Sequence, residues 1–169
     1  MNQPGKAKKN QAPEVIKQYL TFNIGHEHYG LELSQTREII EYSGITEVPL
    51  MPNFLRGVIN LRGEVVPVID LAVRLGRKPI EVQKRTCIIV VELENNDQNH
   101  VLGLLADAVS EVIEMDDENI EDAPSFGANI RADFIQGIAK RDDEFIVLLD
   151  ANSALSIREL AHLVEAQLQ

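Results

Sequence analysis

This chain holds little on which redox or covalent chemistry could be built. Of its 169 residues one is cysteine, Cys87, so no disulfide framework can form and nothing marks it for an oxidising compartment. Tryptophan is absent and aromatics make up 5% of the residues, too few for the stacking platforms that hold single-stranded nucleic acid. Cations are scarce as well. Sixteen Lys and Arg stand against 27 Asp and Glu, a net charge of −11, which opposes a phosphate-binding surface. No apolar run approaches the roughly 18 residues of a membrane span. Residues 1–14 lack the apolar stretch of a signal peptide. The composition reads as a soluble, cytoplasmic protein. Also missing are a phosphate-cradling glycine loop ending in Lys-Ser/Thr, a dinucleotide glycine fingerprint, a nucleophile elbow and a cysteine pair.

What the chain does have is repetition, which bears on architecture before anything else. Phe54-Leu-Arg-Gly-Val-Ile-Asn-Leu-Arg-Gly-Glu-Val-Val-Pro-Val-Ile-Asp70 returns 80 residues later, without a gap, as Phe134-Ile-Gln-Gly-Ile-Ala-Lys-Arg-Asp-Asp-Glu-Phe-Ile-Val-Leu-Leu-Asp150. Phe54 matches Phe134, Gly57 matches Gly137, Glu64 matches Glu144 and Asp70 matches Asp150. A second echo sets Tyr29–Glu41 against Leu102–Glu114 at an offset of 73. Two echoes in the same order describe a doubled architecture, with approximate halves 15–80 and 81–155 between which strands can be exchanged.

Residues 1–14, rich in Gln, Asn, Lys, Pro and Gly, bury no apolar area and read as a disordered tail carrying Lys6, Lys8 and Lys9. Leu20, Phe22 and Ile24 alternate with polar residues, Gly25–His28 turns, and Tyr29, Leu31 and Leu33 alternate again, the pattern of a hairpin. From Ser34 the spacing of Thr36, Ile39 and Ile40 reads as a short helix capped by Ser34. Thr46–Pro52, with two prolines, must be extended. Phe54–Ile59 and Glu64–Leu71 read as strands joined at Asn60-Leu-Arg-Gly63, where glycine supplies a positive φ. Pro67 places the second of them at a sheet edge or bulge, and Asp70–Gly76 reads as one helical turn stopped by glycine.

The second half repeats this plan. Thr86–Leu93 is continuously apolar, so both of its faces should be covered near the junction of the halves. Val101–Ala106 returns, Ser110–Glu114 echoes the short helix, Met115–Asp122 is an acidic connection, and Ala132–Ile138 with Glu144–Leu149 forms the last hairpin. Ser156-Ile-Arg-Glu159 is a capping box opening a helix over 156–169 whose apolar stripe (Ile157, Leu160, Leu163, Val164, Leu168) docks on the domain. About ten short strands in two sets of five imply a mainly β fold of two small packed barrels with short helices.

No catalytic constellation converges. His26 and His28 lie two apart without a third ligand at metal spacing. The acidic run Glu114–Asp122 lacks the glycine a calcium loop needs at its sharp turn. Glu64 and Asp70, repeated as Glu144 and Asp150, read as strand-end structure rather than an acid–base pair, and Cys87 as a small core residue. Attention falls instead on the surface. Arg62 stands at a hairpin tip, a forked donor beside Asn60 and Leu61, while its counterpart Asp142 carries the opposite charge; Glu38 lies next to Ile39 and Ile40.

Leu20-Thr-Phe, Tyr29-Gly, Glu38-Ile, Thr46, Pro52-Asn-Phe, Arg56-Gly-Val-Ile-Asn-Leu-Arg-Gly63 and Val66-Pro-Val-Ile-Asp-Leu71 together resemble the CheW family of chemotaxis coupling proteins, over about residues 16–160. The resemblance implies two five-stranded SH3-like β-barrels with a groove between them, and a non-catalytic scaffold without cofactor or metal. It implies as partners the regulatory domain of the histidine kinase CheA and the cytoplasmic tip of methyl-accepting chemoreceptors, in arrays beneath the membrane. Placed on this chain, the family's receptor contacts fall on Thr36, Glu38, Ile39, Arg62 and Val112, and its ring contact with the kinase on Phe126. The rival expectation is a small barrel that binds nucleic acid or a ligand, which would show a basic, aromatic groove or paired catalytic groups.

Overall fold

The computed structural model describes residues 16–95, 97–122 and 132–156. The expected tail 1–14, Phe126 and the expected helix beyond Ser156 lie outside the described residues. Eleven strands are described: β1 (Ile16–Ile24), β2 (Glu27–Glu32), β3 (Thr36–Glu41), β4 (Leu55–Leu61), β5 (Glu64–Asp70), β6 (Cys87–Asn95), β7 (Gln98–Ala106), β8 (Ala108–Asp116), β9 (Ile120–Glu121), β10 (Ile135–Arg141) and β11 (Glu144–Leu149). One-turn helices α1 (Leu71–Arg74) and α2 (Ala151–Ala154) follow β5 and β11.

The strands form two sheets, ordered β8-β1-β2-β11-β10-β9 and β3-β6-β7-β5-β4. Applying the repeat offsets maps one order onto the other. The hairpin β1–β2 sits between β8 and β11 as β6–β7 sits between β3 and β5, each joined by one antiparallel and one parallel ladder. Each sheet therefore takes its opening hairpin from the other half of the sequence. The two edges of each sheet are also brought together. Thr46, just past β3, bridges Val58 on β4, and β9, just past β8, pairs with β10. That edge-to-edge closure makes each sheet a small barrel, here barrel A (β1, β2, β8–β11) and barrel B (β3–β7).

The closing segment crosses directly over Gly57 in barrel B and Gly137 in barrel A. A Cβ on Gly57 would overlap the Thr46 carbonyl, and one on Gly137 would overlap the Ile120 side chain. Both glycines also sit at a bulge, between Leu55 and Gly57 and between Ile135 and Gly137. The repeated glycine thus marks the place where the barrel shuts.

Two parts of the helical expectation are corrected. Thr36–Glu41 is a strand, preceded by a 3-10 turn at Leu33–Gln35, and Ser110–Glu114 lies within β8. The 3.6-type spacing of Thr36, Ile39 and Ile40 rests on three residues, too short a run to separate helix from strand. Pairing with β6 decides it, because β3 and β8 supply the outer ladder each barrel needs. The acidic connection Met115–Asp122 includes the end of β8, a 3-10 turn and β9. Pro67 lies on an inner strand, yet the ladder from β5 to β7 spans only Val68–Asp70, so its missing amide falls outside that ladder.

The core follows from cross-strand neighbours, which share a face. Inside barrel A, Tyr19, Ile113, Met115, Ala139, Ile146 and Leu148 form one cluster. The opposite face of the same strands, with Leu20 and Leu31, joins Ile89, Leu104 and Ile69 of barrel B in a single larger cluster. The barrels thus share a core. Cys87 to Val91 is buried throughout, as its unbroken apolar run anticipates.

Candidate functional site

Local chemistry first fixes the hairpin that carries Arg62. Asp70, fully buried, ends β5 and accepts hydrogen bonds from the amides of Ala72, Val73 and Ile80 and from Arg56 Nη1 at 2.9 Å. Its own amide donates to the Phe54 carbonyl at 2.7 Å. The base of the β4–β5 hairpin is thereby pinned to α1. Asp150 repeats part of this, its amide donating to Phe134 and its carboxylate accepting from the Ser153 amide. These carboxylates hold structure together, as their place at strand ends anticipates.

At the far end the turn is tighter than Asn60–Gly63. β4 runs to Leu61, and Arg62 and Gly63 alone form the turn, with φ of 52° and 86°. Two positive φ values are the mark of the turn that matches strand twist, and the Asn60 carboxamide oxygen accepts from the Gly63 amide at 2.7 Å. The β10–β11 hairpin adopts the same turn at Asp142 and Asp143.

So presented, Arg62 reaches β3, on the opposite edge of barrel B. Its guanidinium donates to both Glu38 carboxylate oxygens, at 2.5 and 3.4 Å. The hydrogen bond from Arg62 holds the Glu38 carboxyl below the usual range, and Glu38 raises the Arg62 guanidinium in turn. The pair faces water, Arg62 at 66% side-chain exposure, and an exposed pair contributes little to stability. Barrel A carries an equivalent. Glu111, the counterpart of Glu38 in the offset-73 repeat, accepts from Arg141 Nη1 at 2.9 Å.

Thr36 and Ile39 lie on β3 with Glu38. Ile39 is opposed to Ile89, which is opposed to Leu104; Val112 on β8 is opposed to Leu20, which is opposed to Leu31. Both rows run into the shared core, yet their outermost members, Ile39 and Val112, stay 44% and 45% exposed. They are repeat equivalents, one from each barrel, and each heads a row that lines the junction. The structure therefore joins Glu38 to Arg62 directly and places Thr36 and Ile39 beside them. Val112 stands on the other barrel with no described contact to the four.

Sequence reasoning missed three features. Val65 and Phe145 are exposed apolar residues just past the two hairpin turns, and the Glu111–Arg141 pair was not foreseen. The repeat offsets would have found Glu111 from Glu38 and Phe145 from Val65. The third is Arg74, whose guanidinium lies 5.5 Å from the Phe54 ring centroid and 4.7 Å from that of Phe134, while its Nε donates to the Ala154 carbonyl. It joins the repeated phenylalanines and both one-turn helices. His28, considered for metal, instead faces Asn23 Oδ1 through Nδ1 and Glu144 through Nε2. Cys87 is buried, and that burial raises its thiol pKa.

Two closed β-barrels on one core, with an exposed ion pair on barrel B and half-exposed Ile39 and Val112 heading rows that run into that core, make this a doubled small-barrel protein. Residues 18–159 match the family model described as a CheW-like domain. The chain is 32% identical over 147 residues to the chemotaxis protein CheW of Klebsiella aerogenes, covering 87% of this chain and 86% of that protein. It is 36% identical to the probable chemotaxis protein CheW of Rhizobium etli, covering 85% and 90%. Its structure resembles the crystal structure of the scaffolding protein TtCheW from Thermoanaerobacter tengcongensis, with a TM-score of 0.75 and 36% identity, covering 85% of this chain and 90% of that one. The chain belongs to the CheW family, and with it to the adaptors of chemotaxis signalling.

Proposed function

We propose that this chain couples the cytoplasmic tips of methyl-accepting chemoreceptors to the regulatory domain of the histidine kinase CheA, catalysing no reaction itself. It does so in the cytoplasm, recruited to membrane-bound receptor arrays. The observation that carries this reading is the exposed Arg62–Glu38 pair, which stands beside Ile39, the residue whose row runs into the core shared by the barrels. A receptor tip is a helical hairpin. Ile39 and Val112 offer an apolar helix face a contact on each barrel, and Thr36 flanks the first. Arg62, with its fork oriented by Glu38, fixes register through charge-assisted hydrogen bonds. Phe126 serves the kinase side of the ring.

Such contacts are individually weak, about −8 kcal/mol for a micromolar Kd, and gain from effective concentration when arrayed. Signal passes because the receptor state biases kinase geometry, which requires contacts that differ between the two states. The test is a pull-down of the full chain with CheA and with a receptor-tip fragment, each alone and then together. Binding to each and a three-component complex are expected. Retention of neither protein overturns the reading.

A further inference from the structure

The gapless offset of 80 continues past Asp150 through the one-turn helices, setting α1 against α2 and Arg74 against Ala154. These two equivalents meet. Arg74 Nε donates to the Ala154 carbonyl at 2.8 Å, at a helix end where intrahelical partners run out. Related copies touch at their own equivalent residues only beside the axis that relates them. The flanking rings obey the same relation. The Arg74 guanidinium carbon lies 5.5 Å from the Phe54 centroid and 4.7 Å from that of Phe134, within reach of both π-faces. Both rings are buried, and each phenylalanine carbonyl accepts the amide of the aspartate that closes its hairpin, Asp70 or Asp150. A place beside the axis is shared by both copies, so one long cation fills it, and its equivalent is the buried Ala154.

We infer that Arg74 is a positioning residue that bolts the bases of the two equivalent hairpins, β4–β5 and β10–β11, to one another across this pseudo-twofold axis. The shared core makes the barrels pack, but apolar burial is non-directional. The guanidinium adds direction. Its flat faces stack on rings while its N–H groups point elsewhere, so one side chain holds Phe54, Phe134 and the Ala154 carbonyl together. An apolar side chain of similar length would fill the space and hold neither the ring faces nor the carbonyl. A load on the Arg62 tip thus passes down β4–β5 to its base, and through Arg74 to barrel A. The bolt stands on this geometry alone. Its part in signalling, keeping the Arg62 tip in fixed relation to barrel A, rests on the receptor reading above.

The test is amide hydrogen exchange of the isotopically labelled full chain, read residue by residue by NMR, in the natural sequence, Arg74→Met and Arg74→Lys. The informative amides are Asp70 and Leu75 at the base in barrel B, and Asp150, Ala154 and Leu155 at the base in barrel A. Arg74→Met should speed exchange about tenfold at both sets, the loss of the stacked cation, and leave the β1–β8 ladder unchanged. A rise confined to Asp70 and Leu75, no rise, or an equal rise over the β1–β8 ladder overturns the bolt. Arg74→Lys keeps the charge without the flat face and should fall between the two. Natural rates in Arg74→Lys overturn the stacking. In a reconstituted mixture of receptor, CheA and this chain, Arg74→Met should weaken receptor control of the kinase severalfold. Control lost in Arg62→Ala yet intact in Arg74→Met overturns the signalling role alone. Control intact in both overturns the receptor reading and leaves the bolt standing.

Discussion

Asp70 and Asp150 occupy the same repeat position and do unequal amounts of structural work, so the pair provides its own control. Asp70→Ala strips an acceptor from the amides of Ala72, Val73 and Ile80 and from the Arg56 guanidinium. An orphaned buried donor costs about 1–3 kcal/mol, and breaking a buried charge pair costs about 3–5 kcal/mol. Arg56 keeps the Ile80 carbonyl as a partner and is 28% exposed, so water and that carbonyl recover part of the loss. Counting the Ala72 and Val73 amides as one lost cap at about 1 kcal/mol, the Ile80 amide at about 1 kcal/mol and the partly recovered pair at about 2 kcal/mol, the sum is about 4 kcal/mol. Asp150→Ala removes an acceptor from the Ser153 amide at 3.2 Å, a lost cap worth about 1 kcal/mol. The difference of about 3 kcal/mol, at a urea slope of about 2 kcal/mol per molar, separates the two midpoints by about 1.5 M. Urea unfolding of both variants followed by circular dichroism reads it directly. Equal midpoints would refute the claim that Asp70 pins the Arg62 hairpin to the barrel.

Gly57→Ala should cost about 3 kcal/mol, because the new methyl displaces the Thr46 carbonyl at a backbone φ of 148°. Thermal melts should show a fall of about 6–12 °C, whereas Gly25→Ala, at φ +62° with open space around it, should cost only about 1–2 kcal/mol. Glu38 should titrate below the ordinary carboxylate value by NMR and return to it in Arg62→Ala. Because the folded-state pKa is lowered, the pairing is fully present above the unfolded value and is lost as pH falls through the lowered one.

The doubled β architecture was legible because it is written twice. Repeated Phe, Gly and Asp positions landed at equivalent bulges, closures and caps, and the unbroken apolar run at Cys87–Val91 anticipated two-sided burial. β3 and β8 were not legible as strands. Their residues alternate weakly, and only pairing with β6 and β1 gives them a strand's partners. The Arg62–Glu38 contact joins residues 24 apart in sequence, across the two edges of a closing sheet, which no local pattern encodes. Arg62 and Glu38 were singled out separately, by turn position and by resemblance. The exposed faces at Val65 and Phe145 went unnoticed, since an apolar residue on a strand reads as core until the alternation is checked against burial.

The most direct measurement of the central claim is receptor-dependent kinase activity in a reconstituted mixture of receptor, CheA and this chain, comparing the natural sequence with Arg62→Ala. Since the Arg62–Glu38 pair lies in water, the variant should keep the melting temperature of the natural chain while kinase activity ceases to respond to receptor. A well-folded Arg62→Ala chain that still couples receptor state to kinase would contradict the account.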